Sequence, residues 1–102
     1  MSNIFSVEGK VIVVTGGLGQ LGREFATSLA DAGAKVAIYS RRPIEEVELD
    51  GLFPGLGRDR LRVYVASVTD KAALEAATDQ LVADWGVPHA LVNNAGIDSK
   101  PN

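Results

Sequence analysis

Cysteine is absent from this 102-residue chain, which excludes disulfides, thiolate metal sites and a cysteine nucleophile. Histidine occurs once, at His89, so no imidazole ligand set can form and no metal site is expected. Excess positive charge is also missing. Ten Lys and Arg against thirteen Asp and Glu leave a formal net charge of −3. Nucleic-acid binding needs basic residues clustered on one face, and the adjacent pair Arg41-Arg42 falls short of that. No apolar run approaches the roughly 20 residues of a membrane span, so no membrane partner is expected. Residues Met1 to Ser6 lack a charged stretch leading into an apolar one, and the expected compartment is the cytoplasm.

What remains is a hydrophobic fraction of 46% with 23% charged residues, the composition of one globular domain with a thin core. Two kinds of segment alternate. Lys10 to Thr15, Lys35 to Tyr39, Leu61 to Ala66 and His89 to Asn93 are short, nearly continuous apolar runs. Such runs predict strands buried on both faces, as in a parallel sheet. Between them, Leu21, Phe25, Leu29 and Ala32 recur at helical spacing, as do Leu74, Ala77, Leu81 and Trp85. Gly33 predicts the stop of the first helix, Asp70 or Thr69 the cap of the last, and Gly86 with Pro88 its end. A short helix is predicted after Arg42, with Pro43 at its first position and Glu45 and Glu46 at the positive end of its dipole. Gly51, Pro54, Gly55 and Gly57 then mark a loop.

The predicted fold is α/β: a Rossmann-like parallel sheet in βαβαβαβ order, a truncated three-layer αβα sandwich with right-handed crossovers. A complete doubly wound dinucleotide fold has two βαβαβ halves. Residues 1–102 supply one half and the first strand of the next, so they read as the N-terminal part of a single Rossmann domain.

The strongest chemical signal is Thr15-Gly16-Gly17-Leu18-Gly19-Gln20-Leu21-Gly22, between the first strand and the first helix. Gly16 suits a tight turn. Gly17 or Gly19 lets backbone approach a pyrophosphate, and Gly22 lets the helix pack closely on the strand. Free N–H groups at the helix start would face the anion. A mononucleotide P-loop would need Gly-Lys-Ser/Thr, where this chain has Leu21-Gly22-Arg23. At the end of the second strand, the position that reads the ribose, stand Ser40-Arg41-Arg42 with no carboxylate. Arginine there accommodates the 2′-phosphate of NADP, whereas an acidic residue would bond the 2′-hydroxyl of NAD. NADP is therefore the expected cofactor, with NAD possible.

These residues resemble the short-chain dehydrogenase/reductase family. The glycine turn, Asn93-Asn94-Ala95-Gly96 after the fourth strand, and Gly33-Ala34-Lys35-Val36 before the second carry the resemblance. It implies that Gly16, Leu18, Gly19 and Leu21 lie along the pyrophosphate and that Ser40 and Arg41 face the adenosine ribose. Ser67 and Val68 would lie beside the adenine. Asn94, Ala95 and Gly96 would line the ribose and nicotinamide side, with Asn93 bracing the sheet. Gln20 stands where classical members often have glycine, and Ser67 where aspartate is frequent. The glycine spacing thus favours the extended branch and Asn-Asn-Ala-Gly the classical one.

The family's catalytic serine and its Tyr-x-x-x-Lys pair would lie downstream. Neither Tyr39 nor Tyr64 is followed by lysine four positions on, so no catalytic residue is assigned here. The implied parent is an oxidoreductase acting on a small-molecule carbonyl or alcohol. A noncatalytic nucleotide-binding module is the alternative, self-assembling as a homo-oligomer or through an exposed sheet edge. His89 is read as a strand-end surface residue and Trp85 as core packing. Glu45, Glu46, Glu48 and Asp50 are read as a solvated helix face, and Arg58, Asp59, Arg60 and Arg62 as a solvated loop.

Overall fold

The computed structural model describes residues 7–16, 19–67 and 69–93. Seven elements alternate along the chain: β1 (Val11–Thr15), α1 (Gln20–Asp31), β2 (Lys35–Ser40), α2 (Glu46–Leu52), β3 (Leu61–Val65), α3 (Lys71–Trp85) and β4 (Ala90–Asn93). All strand pairs are parallel and the sheet order is β3-β2-β1-β4. This is the expected Rossmann-like βαβαβαβ arrangement.

Strand alternation sorts the core into two layers. Ile12, Val14, Val36, Ile38 and Leu61 face α1 and α2, meeting Ala26, Ala30, Leu49 and Phe53. Val11, Val13, Ala37, Tyr39 and Tyr64 face α3, meeting Ala77 and Leu81. Helices therefore cover both sides of the sheet. The continuous apolar composition of β1 and β2 is explained by this double cover, and all of β1 is buried.

α1 ends as its glycine predicts. Gly33 takes a φ of +101°, its N–H donates to the Ala30 carbonyl at 3.0 Å, and the Ala34 N–H donates to Leu29 at 3.1 Å. This is the paired C-terminal closure that a left-handed glycine permits. At the start of α3, the Asp70 carboxylate accepts the Ala73 N–H at 3.1 Å, a side-chain cap.

Four expectations need correction. The buried face of α1 is Gly22, Ala26 and Ala30, while Leu21 and Phe25 are 48% and 41% exposed. Small residues let the helix approach the sheet closely, and the large ones flank the contact. α2 begins at Glu46 after Glu45 as cap, not at Pro43. Proline fixes φ but leaves ψ free, and Glu45 is still extended at ψ 154°.

β4 is not buried on both faces: Leu91 is 65% exposed, because no described element covers its α3-side flank or its outer edge. The arginines after α2 are not simply solvated. Arg60 Nη1 donates to the Ala30 carbonyl at 2.8 Å, giving the C-terminus of α1 the cation its own last turn lacks. Arg58 Nη2 bonds Asp50 at 3.0 Å. Arg62 lies in β3, pairs with Asp84 at 3.3 Å and sits 5.1 Å from the Trp85 ring centre. Trp85 itself packs against the α3-side core, as expected.

Candidate functional site

Strand order decides where a ligand can sit. From β1 the chain steps to β2 and β3 on one side and then crosses to β4 on the other. α1 leaves β1 on one face of the sheet, and α3 reaches β4 from the opposite face. The carboxyl ends of β1 and β4 therefore flank a topological switch point, the crevice where open α/β sheets bind ligands.

Thr15 and Asn93 close these two strands and are register partners. Thr15 is buried, and its hydroxyl donates to Asn93 Oδ1 at 2.9 Å. Asn93 thus braces the sheet at the crevice floor. Gly16 follows with φ +68°, a left-handed turn that glycine makes without steric cost. The Gly19 N–H closes the turn on the Gly16 carbonyl at 3.3 Å.

Gly19 then caps α1 with no side-chain bond, and the first turn carries no acidic residue. The first N–H groups of a 12-residue helix have no intrahelical acceptor, and Gly19 offers them no side-chain cap, so this helix start is one that can receive an anion. Leu21 lies in that first turn, half-exposed. Gly17 and Leu18 lie outside the described residues.

Ser40 ends β2 and is buried. Its hydroxyl donates to the Arg42 carbonyl at 2.7 Å and accepts the Arg42 N–H at 3.3 Å. Arg41 is exposed, and no ion pair engages it among the described residues. Arg42 differs: Nη2 lies 3.1 Å from Glu48 Oε2, and Nη1 donates to the Pro43 carbonyl at 3.3 Å. Sequence alone makes Glu48 no more than part of a solvated helix face. The sequence offered the charge pattern of α2 but not which carboxylate turns toward β2.

Ser67 stands just beyond β3, tied to this region because the Ala66 N–H donates to the Ser40 carbonyl at 2.7 Å. The Ser67 hydroxyl lies 2.9 Å from Thr69 Oγ1 and accepts the Thr69 N–H at 3.3 Å. Gly16, Gly19, Ser40 and Ser67 are thus all carried at the carboxyl-end side of the sheet. Val68, Asn94, Ala95 and Gly96 lie outside the described residues.

A cleft of about 470 Å³ runs from Thr15 and Asn93 along the flank between α3 and β4, walled by Tyr39, Leu74, Thr78 and Leu91. The titratable cluster lies elsewhere, at the β3 edge. Burial, and then the hydrogen bond to Asp84 at 2.8 Å, push the Tyr64 phenol up to about 12. The same bond holds the Asp84 carboxyl below its ordinary value, with Gln80 and Arg62 assisting. A phenol held protonated this firmly is a poor proton carrier near neutral pH. His89 is a strand-end residue, and its Nδ1 accepts the Val11 N–H at 3.1 Å. Among the described residues no group of three or more His, Cys, Asp or Glu could hold a metal. Among them, too, no helix is long and apolar enough to cross a membrane.

The comparisons agree with this geometry. The family model for short chain dehydrogenases matches residues 10–102. A short-chain dehydrogenase/reductase of Byssochlamys spectabilis is 38% identical over 99% of this chain and 32% of its own length. The D-threitol dehydrogenase of Mycolicibacterium smegmatis is 34% identical over 91% of this chain and 35% of its own length. A solved short-chain dehydrogenase/reductase from Serratia marcescens superposes with a TM-score of 0.73 at 31% identity, covering 87% of this chain and 36% of that one. The chain therefore belongs to the short-chain dehydrogenase family, whose members are oxidoreductases using NAD or NADP. It spans about a third of the length of these relatives.

Proposed function

We propose that residues 1–102 are the N-terminal, cofactor-binding part of a single Rossmann domain in an NADP-preferring enzyme. The whole enzyme would interconvert a carbonyl and an alcohol on a small molecule. The observation that carries the cofactor preference is the end of β2: a buried Ser40 followed by Arg41, exposed and without an ion pair among the described residues. A guanidinium can grip a 2′-phosphate with two parallel bonds, and no carboxylate stands at position 40 to repel it.

In this reading Gly16, Gly17, Leu18, Gly19 and Leu21 hold the pyrophosphate. Ser67 and Val68 border the adenine, and Asn94, Ala95 and Gly96 border the ribose and nicotinamide. The nicotinamide, when bound, exchanges hydride with the substrate. Thr15 and Asn93 keep the crevice floor closed beneath it.

Calorimetric titration with NADP⁺ and NAD⁺ tests the preference. NADP⁺ is expected to bind more tightly. Arg41→Asp should weaken NADP⁺ by about tenfold or more, the scale of a charged hydrogen bond, with a much smaller change for NAD⁺. Equal affinities for the two nucleotides, or an Arg41→Asp variant with unchanged preference, would refute it.

A second reading, a self-assembling half-domain, is favoured by β4. Its outer edge has no strand partner among the described residues, and Leu91 is exposed beside it. Sedimentation equilibrium separates the readings. A defined dimer dissociated by Leu91→Lys supports assembly, and a monomer at tens of micromolar opposes it.

A further inference from the structure

Arg41 and Arg42 are adjacent in sequence but unequal in the fold. Arg42 is held at both ends. Its backbone carbonyl and N–H are tied to the Ser40 hydroxyl, and its guanidinium is paired with Glu48. The carboxylates of α2 divide to make this possible. Glu46 and Asp50, one turn apart, both reach Arg58, at 3.9 and 3.0 Å. Glu48 lies two residues from each, about 200° around the helix, and so faces the end of β2 instead.

We propose that Glu48 is a specificity-determining residue that tethers Arg42 and keeps it from a 2′-phosphate carried by the nucleotide. The proposal rests on the cofactor reading above and deepens it. Arg41 supplies the contact that distinguishes the phosphorylated ribose, and the Arg42–Glu48 pair limits its strength. Both partners are well exposed, with side-chain accessibilities of 61% and 44%, so the pair is weak and exchangeable. A phosphate dianion is a stronger partner for guanidinium than a solvated carboxylate. Neutralising Glu48 therefore frees a second cation within one residue of the first.

The readout is the affinity ratio between 2′,5′-ADP and 5′-AMP, which differ only in the 2′-phosphate. Titrations use this chain as wild type, Glu48→Gln, Glu48→Ala, Arg42→Ala, Arg41→Ala and the double variant Glu48→Gln/Arg42→Ala. Thermal melts run alongside. Glu48→Gln and Glu48→Ala are expected to raise the ratio about two- to fivefold, the scale of an exposed ion pair. Arg42→Ala alone should leave the ratio close to wild type. The double variant should lose the gain.

A wild-type ratio that exceeds one and is unmoved by either Glu48 variant overturns this proposal while the cofactor reading stands. A gain that persists without Arg42 also overturns it, because Glu48 would then act by direct repulsion. A wild-type ratio of one, or a ratio insensitive to Arg41→Ala, refutes the cofactor reading itself and this proposal with it.

Discussion

The hydroxyl of Thr15 donates to Oδ1 of Asn93 across 2.9 Å, joining the last residues of two parallel strands that lie 78 positions apart in the chain. Thr15 is 4% exposed while Asn93 is exposed, so the donor is buried and the acceptor side of the bond meets solvent. Thr15→Val keeps the shape, removes the bond and should cost about 0.5–1.5 kcal/mol in urea unfolding. A stability equal to wild type would show that the bond contributes nothing net.

Gly33 closes α1 where two constraints coincide. Its φ is +101°, and a Cβ there would come within 3.0–3.3 Å of Glu8 atoms, backbone included. Gly33→Ala should therefore destabilise by about 1–3 kcal/mol. Gly51→Ala is the control, because it meets nothing within 4 Å and has no positive φ. Its melting temperature should match or exceed that of wild type.

Arg60 serves the same helix from outside it. Arg60→Ala removes the 2.8 Å bond to the Ala30 carbonyl, and the expected loss is about 0.5–1.5 kcal/mol. Arg60→Lys should restore part of it. Amide exchange in the last turn of α1 should quicken in the alanine variant more than elsewhere.

The Tyr64–Asp84 pair gives a signature at high pH. The folded phenol is pushed up to about 12, above the unfolded value of 10.0. The folded state therefore holds its proton more tightly. This stabilisation is complete below pH 10 and is lost as pH rises from 10 to about 12. Ultraviolet titration should show one phenol ionising near 12. Asp84→Asn should lower that midpoint but leave it above 10, because burial is the larger cause. Tyr64→Phe should flatten the dependence of stability on pH over the same interval.

The opposite sign applies to Asp84, whose folded carboxyl sits below its ordinary value. Its contribution is present above pH 4 and falls away as acid protonates the folded carboxyl. Asp84→Asn should thus narrow the stability difference between neutral and acidic solution.

Much of this architecture can be read along the chain because it depends on local chemistry. Continuous β-branched runs give the strands, Asp70 caps α3 and Gly33 stops α1, each through neighbours a few residues away. The glycine turn is legible for the same reason. What spacing could not decide was which of two adjoining faces of α1 meets the sheet, since Leu21 and Phe25 repeat as regularly as Gly22 and Ala26. Nor could it align Glu48 with Arg42, or Thr15 with Asn93. Those contacts depend on strand order and on the rotation of α2. The surroundings of Arg62 are not legible locally either, because Asp84 and Trp85, more than twenty residues on, build them.

The sheet's register also bears on how the chain folds. β1 and β2 pair across 24 residues, Val11 with Lys35, and β2 pairs β3 over a similar distance. β1 meets β4 across 78. Closing that longer loop in an otherwise unpaired chain costs about 1 kcal/mol more entropy than closing either shorter one, a cost that falls away once β2 and β3 are in place, and β4 has only four residues with which to hold on. Docking of β4 is thus the natural last event of assembly and its release the first of opening. The crevice between β1 and β4 exists only while that strand is seated, so any ligand spanning both strand ends acts as a latch on the least secure joint of the molecule.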